Sequence, residues 1–120
     1  MNPDYVLLYV DNPTASAAFY ADLLELQPVE ASPTFALFKL ATGVKLGLWS
    51  RHTVEPRALA FGGSAELAFG VADRSVVNTM YADWSARGLS IAQRPTVADF
   101  GYTFVAVDRD GHRLRVLASN

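Results

Sequence analysis

The chain has 120 residues, 51% of them hydrophobic and 18% charged, with 12 acidic side chains against 10 basic ones and no cysteine. Those values describe one ordinary folded domain with its own core, and they exclude a largely disordered chain, a disulfide scaffold and any cysteine nucleophile or cysteine–zinc site. The net charge of −2 argues against nucleic acid as a partner, because a phosphate footprint needs a clustered basic face.

The elements read as follows in chain order. Tyr5 to Val10 is an apolar strand run with acidic flanks at Asp4 and Asp11, read as a strand and not as a signal peptide. Asn12-Pro13 opens a helix, asparagine suiting the N-cap and proline the first turn. Ala15, Phe19, Leu23 and Leu26, with Ala18 beside them, form its expected apolar stripe, and Pro28 ends it. Thr34–Leu40 and Val44–Trp49 flank Thr42-Gly43 as a strand pair. Ser50 to Ser64, with Pro56 and Gly62-Gly63, reads as a linker. The plan then recurs. Glu66 to Val71 is a strand. Asp73 caps a helix bearing Val77, Met80, Tyr81 and Trp84 on one face, and Gly88 closes it. A short strand, Leu89 to Ala92, is followed by Tyr102–Val107 and Arg113–Leu117 around the hairpin signal Asp108-Arg109-Asp110-Gly111. No apolar run approaches the ~18 residues a membrane span needs.

The chain thus reads as strand–helix–strand–strand–strand written twice, in modules of about residues 1–55 and 64–120. Each is marginal as a separate core, so a single two-module domain is expected. One split sheet without internal symmetry is the alternative. The class is α+β with mixed sheets, one face of each covered by its helix.

Several residues now carry a resemblance. Val10 through Phe19-Tyr20, Phe69-Gly70-Val71-Ala72-Asp73 and Asp108-Arg109-Asp110-Gly111-His112, in that order and spacing, resemble the paired βαβββ modules of the vicinal oxygen chelate superfamily, which includes glyoxalase I, extradiol dioxygenases and bleomycin-resistance proteins. Within it, Leu48-Trp49-Ser50, Asp99 to Phe104 and Asp110 to Val116 are most similar to the phenazine-antibiotic resistance group of drug-binding proteins. The resemblance implies sheets curled around a cleft, completed in a homodimer. In metal-dependent members, one residue on the first strand and one on the last strand of each half hold a divalent ion. Counting back from Val10 and Val71, and forward from Gly43 and Gly111, places Tyr5, Gly47, Glu66 and Arg115 at those positions. Glycine offers no donor and arginine is a fixed cation, so no metal, cofactor or catalytic residue is expected.

The site expectation is therefore a binding cleft. Trp49 is the leading stacking residue, since it ends a strand and matches the group's stacking tryptophan. Tyr5, Phe38, Phe100, Tyr102 and Phe104 are expected as further ligand contacts. Glu66 and Arg115 are expected to pair, either as a structural substitute for the metal or as a polar anchor. Trp84, with Met80 and Tyr81, reads as core or dimer packing. Binding and sequestration of a planar aromatic antibiotic or related metabolite, by a cytoplasmic homodimer with no nucleic-acid or membrane partner, is the expected function. The alternatives are a metal-dependent glyoxalase- or dioxygenase-like enzyme with an altered site, and a module that holds a peptide on its concave sheet.

Overall fold

The computed structural model describes residues 1–120. Strand β1 (Tyr5–Val10), helix α1 (Pro13–Leu24) and strands β2 (Glu30–Ala31), β3 (Phe35–Lys39) and β4 (Lys45–Ser50) form the first module. Strand β5 (Glu66–Gly70), helix α2 (Arg74–Ala86) and strands β6 (Ser90–Ala98), β7 (Gly101–Val107) and β8 (Arg113–Ser119) form the second. The strand order is β1-β4-β3-β2 in one four-stranded sheet and β5-β8-β7-β6 in the other. The first and last strands of each module pair in parallel and the remaining pairs are antiparallel. The chain is α+β and is built from a repeated module. Its contacts divide it into two compact units, Met1–Phe61 and Gly62–Asn120.

Local chemistry places the helices. The Asn12 carboxamide oxygen accepts from the Ala15 N–H at 3.1 Å, with Pro13 at the first helical position. The Asp73 carboxylate accepts from the Val76 N–H at 3.1 Å and from the Ser75 hydroxyl at 2.6 Å. Those bonds, the Ser75 hydroxyl foremost, hold the Asp73 carboxyl below its ordinary range. The hairpins close where the glycines predict. The Gly43 N–H reaches the Leu40 carbonyl at 2.9 Å, and the Gly111 N–H reaches the Asp108 carbonyl at 3.2 Å.

Each helix covers one face of its own sheet, α1 over β3 and β4, and α2 over β6, β7 and β8. Val10, Tyr20, Phe38, Leu46 and Leu48 are buried in the first unit. Val77, Trp84, Phe104, Leu114 and Val116 are buried in the second. The α2 face is the expected one. The α1 face is not: Pro13, Ser16, Ala17 and Tyr20 are buried, while Ala18 is exposed. The helix is apolar most of the way round, so periodicity alone does not choose a face, and the phase follows from burial of the Tyr20 ring. Glu25 takes a left-handed conformation, its N–H bonded to the Ala21 carbonyl, so Leu26 falls outside the helix.

Two strands also depart from expectation. Strand β2 is two residues long, too short to show alternation. Strand β6 runs to Ala98, well past Ala92, with register shifts between Ile91 and Gln93 and between Gln93 and Thr96. Pro95 lies in that irregular stretch of an edge strand, where a missing N–H costs no ladder bond.

Trp84 is a core residue. It is 4% exposed and meets Phe69 and Phe104 edge-to-face at centroid distances of 6.0 and 5.3 Å. Replacing it with alanine should lower unfolding free energy by about 3–5 kcal/mol, as read from urea denaturation; a loss under about 1 kcal/mol would show that the site collapses without cost.

Candidate functional site

The faces opposite the helices differ between the units. In the first, alternation along β1, β3 and β4 sets Tyr5, Leu7, Tyr9, Phe35, Leu37, Gly47 and Trp49 on one surface. Tyr5, Leu7, Phe35 and Trp49 line a hollow of about 460 Å³ there. Tyr5, Leu7 and Tyr9 remain 53%, 43% and 38% exposed, a concentration of large apolar side chains typical of a binding surface and not of a finished exterior. Trp49 is held upright by edge-to-face contacts with Tyr9 at 6.4 Å and Phe35 at 6.1 Å between centroids.

Gly47 lies buried beneath the hollow, covered by two of its lining side chains. A β-carbon there would lie 2.6 Å from a Leu7 methyl and 3.1 Å from the Phe35 ring, so those side chains lean over the glycine and any larger residue would displace them. The hollow holds rings and aliphatic groups with almost no polar atom, the usual character of a small-molecule site. A second hollow of about 470 Å³ is formed by residues of the 51–61 segment. Arg51, His52, Glu55 and Arg57 wall it, and it offers no stacked rings.

In the second unit the corresponding face is polar. Arg115 donates from Nε to Glu66 Oε1 at 2.7 Å and from Nη2 to Glu66 Oε2 at 2.9 Å. Its Nη1 donates to Thr103 Oγ1 at 3.2 Å and to Gln93 Oε1 at 3.4 Å. The Thr103 hydroxyl passes the chain on to the Val116 carbonyl at 2.8 Å. Arg113 stands 3.9 Å from the same carboxylate, and Phe100 lies under the Arg115 guanidinium at 5.8 Å. The bidentate bond to Arg115, joined by the Coulomb attraction of Arg115 and Arg113, holds the Glu66 carboxyl below its ordinary value of 4.5 against the opposing effect of desolvation. The Arg115 guanidinium is raised reciprocally. The side chains are 30% and 19% exposed, so the pair is partly wet and not sealed in a core.

The register confirms the internal equivalence of the modules. Tyr5 pairs with Lys45 and Leu7 with Gly47; Glu66 pairs with Arg113 and Ala68 with Arg115. Tyr5 therefore corresponds to Glu66, and Gly47 to Arg115.

The expected contacts thus fall into three groups. Tyr5 and Trp49 line the aromatic hollow. Glu66, Arg115 and Phe100 form the polar cluster of the second unit. Phe38, Phe104 and Tyr102 belong to neither, which corrects the sequence expectation. Phe38 and Phe104 are 0% exposed in the cores beneath the helices. Tyr102 faces α2, where its hydroxyl donates to Asn78 Oδ1 at 2.8 Å and Arg74 lies over its ring. Leu7, Phe35, Gln93 and Thr103 were missed. Counting across the hairpin from the Leu40–Val44 closing pair sets Leu37 opposite Gly47, and that register would have put Phe35 on the open face and Phe38 on the buried one.

The profile of the Glyoxalase/Bleomycin resistance protein/Dioxygenase superfamily matches residues 2–116. The chain belongs to that superfamily. A phenazine antibiotic resistance protein of Enterobacter agglomerans is 26% identical over 119 residues, 97% of this chain and 91% of that one. A protein of Agrobacterium tumefaciens, solved in solution by NMR, is 56% identical, covers 100% of this chain and 98% of its own, and superposes with a TM-score of 0.92. A glyoxalase-related enzyme of Fulvimarina pelagi, at 21% identity, 99% and 88% coverage and a TM-score of 0.86, shares the fold.

Metal-dependent members raise the question whether a divalent ion fits here. The donor set does not suit one. Tyr5 and Gly47 offer a phenol and no side chain, and both Glu66 oxygens are engaged by a guanidinium that would repel a second cation. No group of three or more histidine, cysteine or acidic side chains is arranged to hold a metal.

The Glu66–Arg115 pair yields a double-mutant test. Glu66→Ala should destabilise more than Glu66→Ala/Arg115→Met, because the single change leaves a partly desolvated guanidinium without its carboxylate. The coupling should be about 1–2 kcal/mol, between exposed and buried pairs. Since the folded Glu66 value is lowered, its contribution is complete above 4.5 and is lost as pH falls through the folded value. The stability gap between the native chain and Glu66→Gln should therefore narrow on acidification, as followed by denaturant titrations across that range. Additive losses, or a pH-independent gap, would show that the two groups are not coupled.

Proposed function

We propose that the chain binds and sequesters a planar aromatic compound, an antibiotic or a related metabolite, without chemically altering it and without a bound metal. One observation carries the reading: an apolar hollow lined by Tyr5, Leu7, Phe35 and Trp49, packed over Gly47 on the sheet face that no helix covers. Flat rings stack on or edge against aromatic walls, gaining about 0.5–1.5 kcal/mol per pair beyond the area buried. The similarity to a protein named for phenazine antibiotic resistance agrees with a flat, fused-ring ligand. The donor chemistry at Tyr5, Gly47, Glu66 and Arg115 weighs against metal-assisted turnover, and no nucleophile–base pair lines the hollow.

The working form is a cytoplasmic homodimer in this proposal. An open hollow buries only one side of a flat ring, and a second copy supplies the opposite wall. Light scattering of the purified chain tests the dimer directly.

Phenazine titration followed by tryptophan fluorescence should show saturable quenching with no product formed, and a metal chelator should leave the curve unchanged. Trp49→Ala should weaken phenazine at least about tenfold while costing only about 1–2 kcal/mol of stability, since the residue is half-buried and not part of the core. Turnover of phenazine, or quenching that survives Trp49→Ala intact, would sink the reading.

A further inference from the structure

We propose that the ligand of the Trp49 hollow is an anion: a planar aromatic carboxylate whose charged group is held at the Tyr5 end by Lys45 and Lys39. The proposal rests on the aromatic-binding reading above and adds the charge of the ligand to it.

Lys45 is the register partner of Tyr5 on β4 and of Lys39 on β3. Alternation sets both lysines on the open face that carries Phe35, Gly47 and Trp49. Two like charges directly opposite on neighbouring strands are destabilising. Lys45 is half-buried, and its ammonium sits 5.0 Å above the centre of the Tyr5 ring, at the edge of the hollow. Neither lysine makes an ion pair. Asp11, in the same unit, is paired with Arg51 and His52. Glu30, which the register sets on the same face across Leu37 from Gly47, bonds to neither lysine.

The second module shows what is missing. At the position of Lys45 it has Arg113, at that of Tyr5 it has Glu66, and at that of Lys39 it has Val107. There one carboxylate serves Arg113 at 3.9 Å and Arg115 at 2.7 Å. In the first module the carboxylate has become a phenol, and its apolar neighbour has become a second cation. A fused-ring body on Trp49 and Phe35 with a carboxylate toward Lys45 would supply the partner that Lys45 and Lys39 lack. It would form charge-assisted hydrogen bonds and relieve the lysine–lysine repulsion.

The test compares phenazine-2-carboxylate with its neutral carboxamide, both read by tryptophan quenching at neutral pH. At low salt the carboxylate should bind about tenfold tighter, and the advantage should shrink in about 0.5 M salt as the lysines are screened. Lys45→Gln/Lys39→Gln should abolish the preference and leave carboxamide affinity unchanged within about twofold. Lys39→Gln alone, at an exposed position that threatens no packing, should already lower carboxylate affinity about threefold. Equal binding of the two probes by the native chain, or a preference that survives the double change, overturns the proposal while leaving aromatic binding in place. Failure of both probes to bind overturns the aromatic reading itself and the proposal with it.

Discussion

A four-stranded sheet has two faces, and each module of this chain has one helix to cover them. Every other feature follows from that imbalance. The covered face takes the large apolar side chains that give each unit its core: Tyr20, Phe38, Leu46 and Leu48 in the first, Trp84, Phe104, Leu114 and Val116 in the second. The uncovered face must either satisfy itself with polar bonds or remain an apolar surface with a purpose. The two modules resolve the same geometrical problem in opposite ways.

The divergence is concentrated at the equivalent positions on the first and last strands. Arginine at position 115 brings five donors, and Glu66, Thr103 and Gln93 accept from four of them. Glycine at position 47 brings none and leaves a depression into which Leu7 and Phe35 lean. With Arg115 present, Glu66 is an asset; beside Gly47, a carboxylate at position 5 would have only Lys45 to face, and the chain carries tyrosine there instead. Each residue is intelligible only with its cross-strand neighbour, which is why substitutions at these four positions are expected to couple in pairs.

Much of this was legible in the sequence because the signals are local. Asn12-Pro13 and Asp73 fix where the helices begin. Gly43 and Gly111 fix where the hairpins turn. Counting back from Val10 and Val71 and forward from Gly43 and Gly111, as the resemblance directs, gives Tyr5, Gly47, Glu66 and Arg115 as equivalent positions, and the register agrees. The failures occurred where the deciding information is not local. Phe38 and Phe35 look alike as strand aromatics, and only the pairing of β3 with β4 sends one under α1 and the other to the hollow. The face of α1 was misread because nearly every position of that helix is apolar or small. In the sequence, strand β6 reads as ending at Ala92, whereas on a sheet edge a bulge absorbs Pro95 and the strand continues to Ala98.

The division of labour also bears on what each unit can do without rearrangement. Arg115 is the obvious anion receptor by charge, yet four of its bonds are already made, so a ligand carboxylate would have to displace Glu66 and strand it beside the incoming charge. Lys45 has no such bond to break; its ammonium rests on the Tyr5 ring, a contact worth about 0.5–2 kcal/mol and compatible with a carboxylate approaching from the open side. The cation that looks stronger is thus already engaged by Glu66, Thr103 and Gln93, and the weaker one, outside any ion pair, is the one the proposal assigns to a ligand. On the proposed reading, an apolar surface beside that cation suits the first module to recognition, while in the second the guanidinium bonds tie β8 to Glu66 on β5, Gln93 on β6 and Thr103 on β7.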